Sequence, residues 1–142
     1  MVDRILLKQR LSMIAEYCLE LKLLRNLPKE VFLEKRNSAA AESFLRRSLE
    51  AVFDIGRHIL AKTGYMELTK EYKGIALGLG ERQIVSGQLS AKLVEMAGYR
   101  NRLVHLYHMV ANEELYHIVQ NNIADLEDFC RQISCYIGHA SV

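Results

Sequence analysis

The sequence predicts an all-α protein, an up-and-down bundle of four main helices joined by shorter helices. Apolar residues recur at three- and four-residue steps along most of the chain, which is the period of one helix face. No segment shows the alternation of apolar and polar residues that is typical of a strand. The chain has 142 residues, of which 50% are hydrophobic and 25% charged. We therefore expect a single domain, residues 1–142, of ordinary globular composition.

The first helix is predicted from about Asp3 to Arg25, ending before Pro28, because the residue before a proline resists helical geometry. Pro28 itself suits the first turn of a short helix that continues to about Leu33. The apolar stripe of the first helix consists of Leu7, Leu11, Ile14, Cys18 and Leu21.

A second long helix follows, with Asn37 or Ser38 as its expected N-terminal cap. Gly64 is placed to end this helix in a left-handed turn, which glycine adopts without steric cost. The seam that should face the core consists of Ala41, Leu45, Ser48, Val52, Ile55 and Ile59.

The later helices are less sharply marked. Five of the eight glycines lie between residues 64 and 87, around a short helix expected near Lys70–Leu79. A third helix is predicted over about Gln88–Ala97, followed by a helical segment from Tyr99. Asn112 is the expected cap of a last long helix, whose stripe consists of Leu115, Val119, Asn122, Leu126, Phe129, Ile133 and Tyr136.

Several classes of protein are disfavoured by the sequence. The chain has no run of about 18 apolar residues, so no transmembrane helix is expected, and its N-terminal residues do not predict a secretory signal. Cys18, Cys130 and Cys135 are an odd number without a Cys-x-x-Cys pair, which favours a reduced, cytoplasmic compartment. No cofactor and no metal site are expected, because no cysteine or second histidine pair supports His105 and His108.

The most informative stretch is Tyr99-Arg100-Asn101-Arg102-Leu103-Val104-His105-Leu106-Tyr107. An arginine is a permanent planar cation that grips phosphate through parallel hydrogen bonds. A histidine is the side chain best suited to move a proton at neutral pH. Together they form a minimal set of groups for cutting RNA without a metal. The spacing alone is a weak signal, because such pairs also occur by chance on helix surfaces.

The charge distribution is compatible with RNA as a substrate. The net charge is only +2, but residues 112–142 carry five acidic and one basic side chain, a net of −4. Residues 1–111 carry eighteen basic and twelve acidic side chains, a net of +6. This asymmetry permits a basic RNA-facing surface, although charge alone favours a set of solvated helix faces. The expected members of this surface are Arg46, Arg47, Arg57, Arg100 and Arg102.

The pattern Arg100-Asn101-x3-His105-x-Tyr107 resembles the signature of the HEPN superfamily, and its His-x-Tyr element resembles the HepT branch of toxins. The resemblance continues in the order and spacing of several further blocks over nearly the whole chain. These blocks are Ala39–Glu50, Asp54–Ala61, Met96–Tyr99, Leu115–Val119 and Asp125–Phe129.

The resemblance implies an all-α fold and a toxin that is a metal-independent endoribonuclease acting on tRNA or mRNA. It implies Arg100, His105 and Asn101 as catalytic residues, with attack of the ribose 2′-oxygen on the neighbouring phosphate. It also implies a homodimer and a nucleotidyltransferase antitoxin that attaches AMP to Tyr107. Arg102, Arg57 and Asp54 are further candidates for contacts with RNA, and their alternative is a set of solvated helix positions.

The spacing leaves the geometry of the site open. Arg100 and His105 are five residues apart, about 140° around a helix, whereas Asn101 and His105 share one face. Arg100 reaching around the helix, a looser turn near His105, and two subunits completing one site are all compatible with this. A different function also stays open, namely a non-catalytic nucleotide- or partner-binding helical module that supports a nucleotidyltransferase.

Overall fold

The computed structural model describes residues 2–105 and 112–140. Within these ranges it contains seven α-helices and one short 3₁₀-helix (Met66–Thr69), and no strand. The predicted all-α class is confirmed. The helices are α1 (Arg4–Arg25), α2 (Lys29–Phe32), α3 (Lys35–Lys62), α4 (Tyr72–Glu81), α5 (Gly87–His105), α6 (Asn112–Asn121) and α7 (Ile123–Ala140). None of the described helices is both long and apolar enough to cross a membrane.

The predicted first helix is confirmed, and the structure adds that Asp3 is its N-terminal cap. Asp3 has extended backbone geometry, and its carboxylate accepts a hydrogen bond from the amide of Leu6. All residues of the predicted apolar stripe are buried in the core except Leu11, which is partly buried. The helix packs mainly along α3 and α7, so α3 lies at the centre of the bundle.

The predicted cap of the second long helix is wrong. Helix α3 begins at Lys35, and neither Asn37 nor Ser38 lies outside it. The Asn37 amide donates instead to the Val31 carbonyl at 2.8 Å, and the Ser38 hydroxyl donates to the Glu34 carbonyl one turn earlier. Both side chains therefore bond backward to carbonyl groups rather than forward to the free amides of a helix start.

The predicted end of α3 is confirmed at Gly64. Its φ of +94° is in the left-handed region, two residues after the helix ends at Lys62. The Tyr65 amide donates to the Leu60 carbonyl at 2.7 Å, and the Gly64 amide donates to the Ala61 carbonyl. These two bonds form a Schellman motif, which satisfies the last carbonyls of the helix. Every residue of the predicted α3 seam is buried.

Two expectations in the second half of the chain need correction. Residues 88–97 and the described part of the motif, up to His105, belong to one continuous helix, α5, rather than to two segments. The predicted last long helix is divided into α6 and α7 at Asn122, whose side chain donates to the Asp125 carboxylate at 2.9 Å. Asparagine favours such local bonds over a helix interior, which explains the break.

Helix α4 is pressed closely against its neighbours through small residues. A Cβ atom built on Gly56 would lie 2.5 Å from Ile75 Cγ2, and one built on Gly80 would lie 2.5 Å from Ser90 Oγ. The Ser90 hydroxyl is buried and donates to the Ala76 carbonyl at 2.8 Å. These contacts fix α4 between α3 and α5, and so fix the position of Tyr72 at its first turn.

Candidate active site

Arg100 is held in place by groups from two other helices. Its Nε donates to Oε1 of Glu50 on α3 at 2.7 Å, and its Nη2 lies 2.7 Å from the same oxygen. Its guanidinium carbon lies 3.9 Å from the ring centroid of Tyr72, the first residue of α4. The Arg100 side chain is only 12% exposed. The guanidinium is therefore fixed on two sides before any substrate arrives.

One edge of this guanidinium is less strongly engaged. Nη1 donates to the Asn101 side-chain oxygen over 3.4 Å, which is long for a hydrogen bond. Arg100 and Asn101 line an open cleft of about 490 Å³ together with Lys70, Glu71, Tyr72, Lys73 and Arg102. An anion that entered this cleft would meet Arg100 and Asn101, and Nη1 is the guanidinium nitrogen that makes no contact with Glu50.

The structure brings together part of the predicted site. Arg100, Asn101 and Arg102 line the same cleft. His105 is the last residue of α5, so the helical backbone is continuous from Arg100 to His105. Asn101 and His105 are therefore one turn apart on this helix. The side chain of His105 and the whole of Tyr107 lie outside the described part of the chain. The Arg100 guanidinium lies on Glu50 and Tyr72, and its distance from the His105 imidazole lies outside the described residues.

Arg102 borders the cleft but makes its ion pair with α6. Its Nη2 donates to the Glu114 carboxylate of α6 at 3.1 Å, and its guanidinium carbon lies 5.4 Å from the ring centroid of Tyr99. Tyr99 is buried, and its hydroxyl has no hydrogen-bond partner among the described residues. Burial raises the pKa of this hydroxyl. Tyr99 and Arg102 border a cavity of about 150 Å³, whose apolar wall includes Leu45, Leu49, Met96, Ile118 and Leu126.

Asp54 and Arg57 lie in a second groove, next to the cleft. One Asp54 oxygen is 3.3 Å from Arg57 Nη1, and the other is 3.9 Å from Arg10 Nε of α1. Both residues line this groove with Arg10 and His58. Arg57 also reaches toward the cleft, since its guanidinium carbon lies 5.4 Å from the ring centroid of Tyr72. Of the predicted basic surface, Arg57, Arg100 and Arg102 are therefore all paired with carboxylates.

Two residues of this site were missed by sequence reasoning. Glu50 and Tyr72 are 50 and 28 residues away from Arg100, and no local spacing links them to it. Glu50 does lie one turn before Asp54 on the same face of α3, which is a signal that the helix period contained. Tyr72 had no comparable signal.

The fold and this cleft define a helical protein with a largely buried, ion-paired arginine that lines an open cleft. Comparison with known proteins identifies the family. The model of the family described as "Ribonuclease HepT-like" matches residues 10–133. The chain therefore belongs to the HepT-like ribonuclease family.

Individual relatives agree with this family. The chain is 26% identical over 139 residues to a tRNA nuclease HepT of Aphanizomenon flos-aquae, covering 96% of this chain and 92% of the relative. It is 29% identical over 85 residues to an mRNA nuclease HepT of Shewanella oneidensis, covering 60% of this chain and 63% of the relative. Among solved structures, it resembles the tri-AMPylated HEPN toxin of Shewanella oneidensis in complex with the MNT antitoxin. That likeness has a TM-score of 0.81 at 22% identity and covers 95% of this chain and 99% of the other.

Proposed function

We propose that this chain is the toxin of a prokaryotic toxin–antitoxin pair and a metal-independent endoribonuclease that cleaves tRNA or mRNA. Its partner is a nucleotidyltransferase antitoxin that inhibits it by attaching AMP to Tyr107. The proposal treats residues 1–142 as one HepT-like domain, active as a homodimer in the cytoplasm. Membership of the HepT-like family supports it, as do relatives named as a tRNA nuclease and an mRNA nuclease. The three free cysteines are compatible with a reducing compartment.

The observation that carries the proposal is the fixed guanidinium of Arg100. A phosphate in the cleft receives hydrogen bonds from Nη1, while Glu50 and Tyr72 hold the rest of the group. This favours the transition state, because the donors are already oriented toward the charge that develops on the phosphorus oxygens. Asn101 beside Nη1 is placed to contact the same phosphate or to orient His105.

His105 supplies the proton transfers in this mechanism. As a general base it takes the proton of the ribose 2′-hydroxyl, whose oxygen forms a bond to phosphorus while the 5′-oxygen of the next nucleotide leaves. The leaving oxygen takes up a proton, and the products are a 2′,3′-cyclic phosphate and a free 5′-hydroxyl. In a homodimer the second His105 serves as the general acid. Arg102, Arg57 and Asp54 flank the path of the RNA, the arginines as phosphate contacts and Asp54 by holding Arg57.

The decisive experiment compares cleavage of total RNA in EDTA by the native chain, His105→Ala and Arg100→Ala. We expect fragments with 2′,3′-cyclic ends from the native chain and a loss of at least about 100-fold in both variants. His117→Ala and Arg131→Ala are matched controls, because both side chains are exposed on other helices, and they should cleave like the native chain.

The alternative is a non-catalytic module that only supports a nucleotidyltransferase. Equal behaviour of the native chain and both site variants, with all three folded, would favour this module. The role of Tyr107 is tested separately. Incubation with the nucleotidyltransferase and ATP should add the mass of one or more AMP groups to the native chain and none to Tyr107→Phe.

A further inference from the structure

Two arginines of this site share one aromatic ring. The guanidinium carbons of Arg100 and Arg57 lie 3.9 Å and 5.4 Å from the ring centroid of Tyr72. They are therefore at most 9.3 Å apart, the sum of these two distances. The two cations come from different helices, α5 and α3, and the ring belongs to a third, α4. Without the ring, mutual repulsion of the two positive charges would favour their separation.

Each cation is also held by a carboxylate of α3. Glu50 holds Arg100, and Asp54 holds Arg57. These two acids are four residues apart, one turn or about 6 Å along the helix. The same arrangement thus occurs twice: each guanidinium contacts one carboxylate of α3, and both guanidinium groups contact the ring of Tyr72.

The ring itself is anchored. Its centroid lies 5.1 Å from that of Phe53 with the planes at 74°, and Phe53 is fully buried in the core. Tyr72 also begins α4, where a Cβ atom on Gly74 would come within 2.9 Å of the Leu68 carbonyl oxygen. The close packing at the start of α4 therefore limits the movement of this turn, and the contact with Phe53 limits the movement of the Tyr72 ring.

We infer that Tyr72 is a positioning residue that sets Arg100 and Arg57 at a fixed separation, so that they bind two neighbouring phosphates of one RNA strand. The inference rests on the proposed function and adds to it the residue that sets the distance between two of its phosphate contacts. Arg100 binds the phosphate that reacts, and Arg57 binds a flanking one. The groove around Arg57, Asp54, Arg10 and His58 then continues the path of the strand away from the cleft.

The test compares Tyr72→Leu with the conservative Tyr72→Phe. The phenylalanine ring keeps both cation contacts and should leave RNA cleavage within about twofold of native. Leucine removes them, and we expect KM to rise on the order of tenfold, with a smaller fall in kcat. If Tyr72 only stabilised the fold, Tyr72→Leu would reduce the fraction of folded enzyme. The apparent kcat would then fall and KM would stay unchanged.

Tyr65→Leu is the matched control. The guanidinium carbon of Arg82 lies 3.6 Å from the Tyr65 ring centroid, so this pair is of the same kind. Arg82 follows the far end of α4, about 15 Å along the helix from Tyr72. Tyr65→Leu should lose stability without a change in KM.

A binding measurement separates this inference from the proposed function. Fluorescence anisotropy with a 2′-O-methyl RNA, which lacks the attacking hydroxyl, measures affinity without cleavage. Tyr72→Leu should bind on the order of tenfold more weakly, with a shallower dependence of affinity on salt by about one phosphate contact. Tyr72→Leu should weaken binding less in an Arg57→Ala background than in the native chain, because the contact of the ring with Arg57 is then already lost and only its contact with Arg100 remains.

The outcomes are distinct. If the native chain cleaves RNA and the Tyr72→Leu variant has the same KM and the same affinity for RNA, this inference is overturned and the proposed function is not. A Tyr72→Phe variant as weak as Tyr72→Leu would also overturn it, because the ring would then not be the active part. A native chain that neither cleaves nor binds RNA would overturn both proposals.

Discussion

Replacing Glu50 with alanine removes the carboxylate that receives two contacts of 2.7 Å from Arg100. The cost depends on burial, and this pair is intermediate, with the Arg100 side chain 12% and the Glu50 side chain 36% exposed. Breaking a fully buried ion pair costs about 3–5 kcal/mol, and exposed pairs contribute about 0.2–1 kcal/mol. We therefore expect Glu50→Ala to lower the free energy of unfolding by about 2 kcal/mol.

The assay is a double-mutant cycle of Glu50→Ala and Arg100→Ala, with the free energy of unfolding measured by urea denaturation. We expect a coupling energy of about 1–2 kcal/mol, because both single changes break the same pair. The control is the pair of Glu67 and Lys70, which are 3.0 Å apart with side chains 86% and 74% exposed. Its coupling should be close to zero, because solvent screens it.

A coupling energy for Glu50 and Arg100 as small as that of the exposed control would refute the reasoning. It would mean that Arg100 is not held by Glu50 in solution, and the preoriented guanidinium of the proposed mechanism would lose its support. Glu50→Gln refines the result. It keeps an acceptor oxygen but removes the charge, so it should retain part of the stability that Glu50→Ala loses.

Three further outcomes follow from the packing of the core. Gly80→Ala should lower the free energy of unfolding by about 1–3 kcal/mol, because its Cβ would lie 2.5 Å from Ser90 Oγ. The Cβ of Gly138→Ala would meet no atom of the described residues within 4 Å, so this change should raise the free energy of unfolding by about 0.5–1 kcal/mol. Equal effects of the two changes in urea denaturation would contradict this reasoning. Tyr99→Phe removes a buried hydroxyl without a partner among the described residues, so calorimetry should show an unchanged or higher Tm, and a clear drop would reveal a hidden hydrogen bond. Burial raises the pKa of the Cys18 thiol to about 12 from 9.0, so its contribution to stability should be complete below pH 9 and decline as the pH rises toward 12. Cys18→Ala should flatten that decline in urea midpoints measured between pH 8 and 11, and an identical decline in both proteins would exclude this origin.

Much of the helical fold could be predicted because its signals are local. The apolar seam of α3 and the left-handed Gly64 are read from neighbouring residues alone, and the structure confirms both. Two of the failures, the cap of α3 and the break between α6 and α7, have a common origin. Asn37, Ser38 and Asn122 make local side-chain bonds, but sequence does not say whether such a bond caps a helix, runs along it or breaks it. That choice depends on which carbonyl or carboxylate the fold brings near.

Only part of the candidate site could be predicted from the sequence. Arg100 and Asn101 lie within one short motif, and the structure places both on the same cleft. Glu50 and Tyr72 contact Arg100 only because α3, α4 and α5 pack together. A single sequence carries no pattern for contacts between separate helices, so the groups that orient the arginine could not be predicted. The catalytic roles of Arg100, Asn101 and His105 stay predictions until the variants are measured.

The position of the Arg100 guanidinium depends on the packing of α3, α4 and α5, and this has a consequence for the folding of the newly synthesised chain. During synthesis, Glu50 and Tyr72 leave the ribosome before Arg100 does, and the guanidinium finds its place only when α5 docks on the helices already made. A nascent or partly folded chain therefore lacks an ordered phosphate site, even after the arginine has been translated. For a ribonuclease made beside the RNA that it would cut, this order delays any harmful activity until the fold is complete.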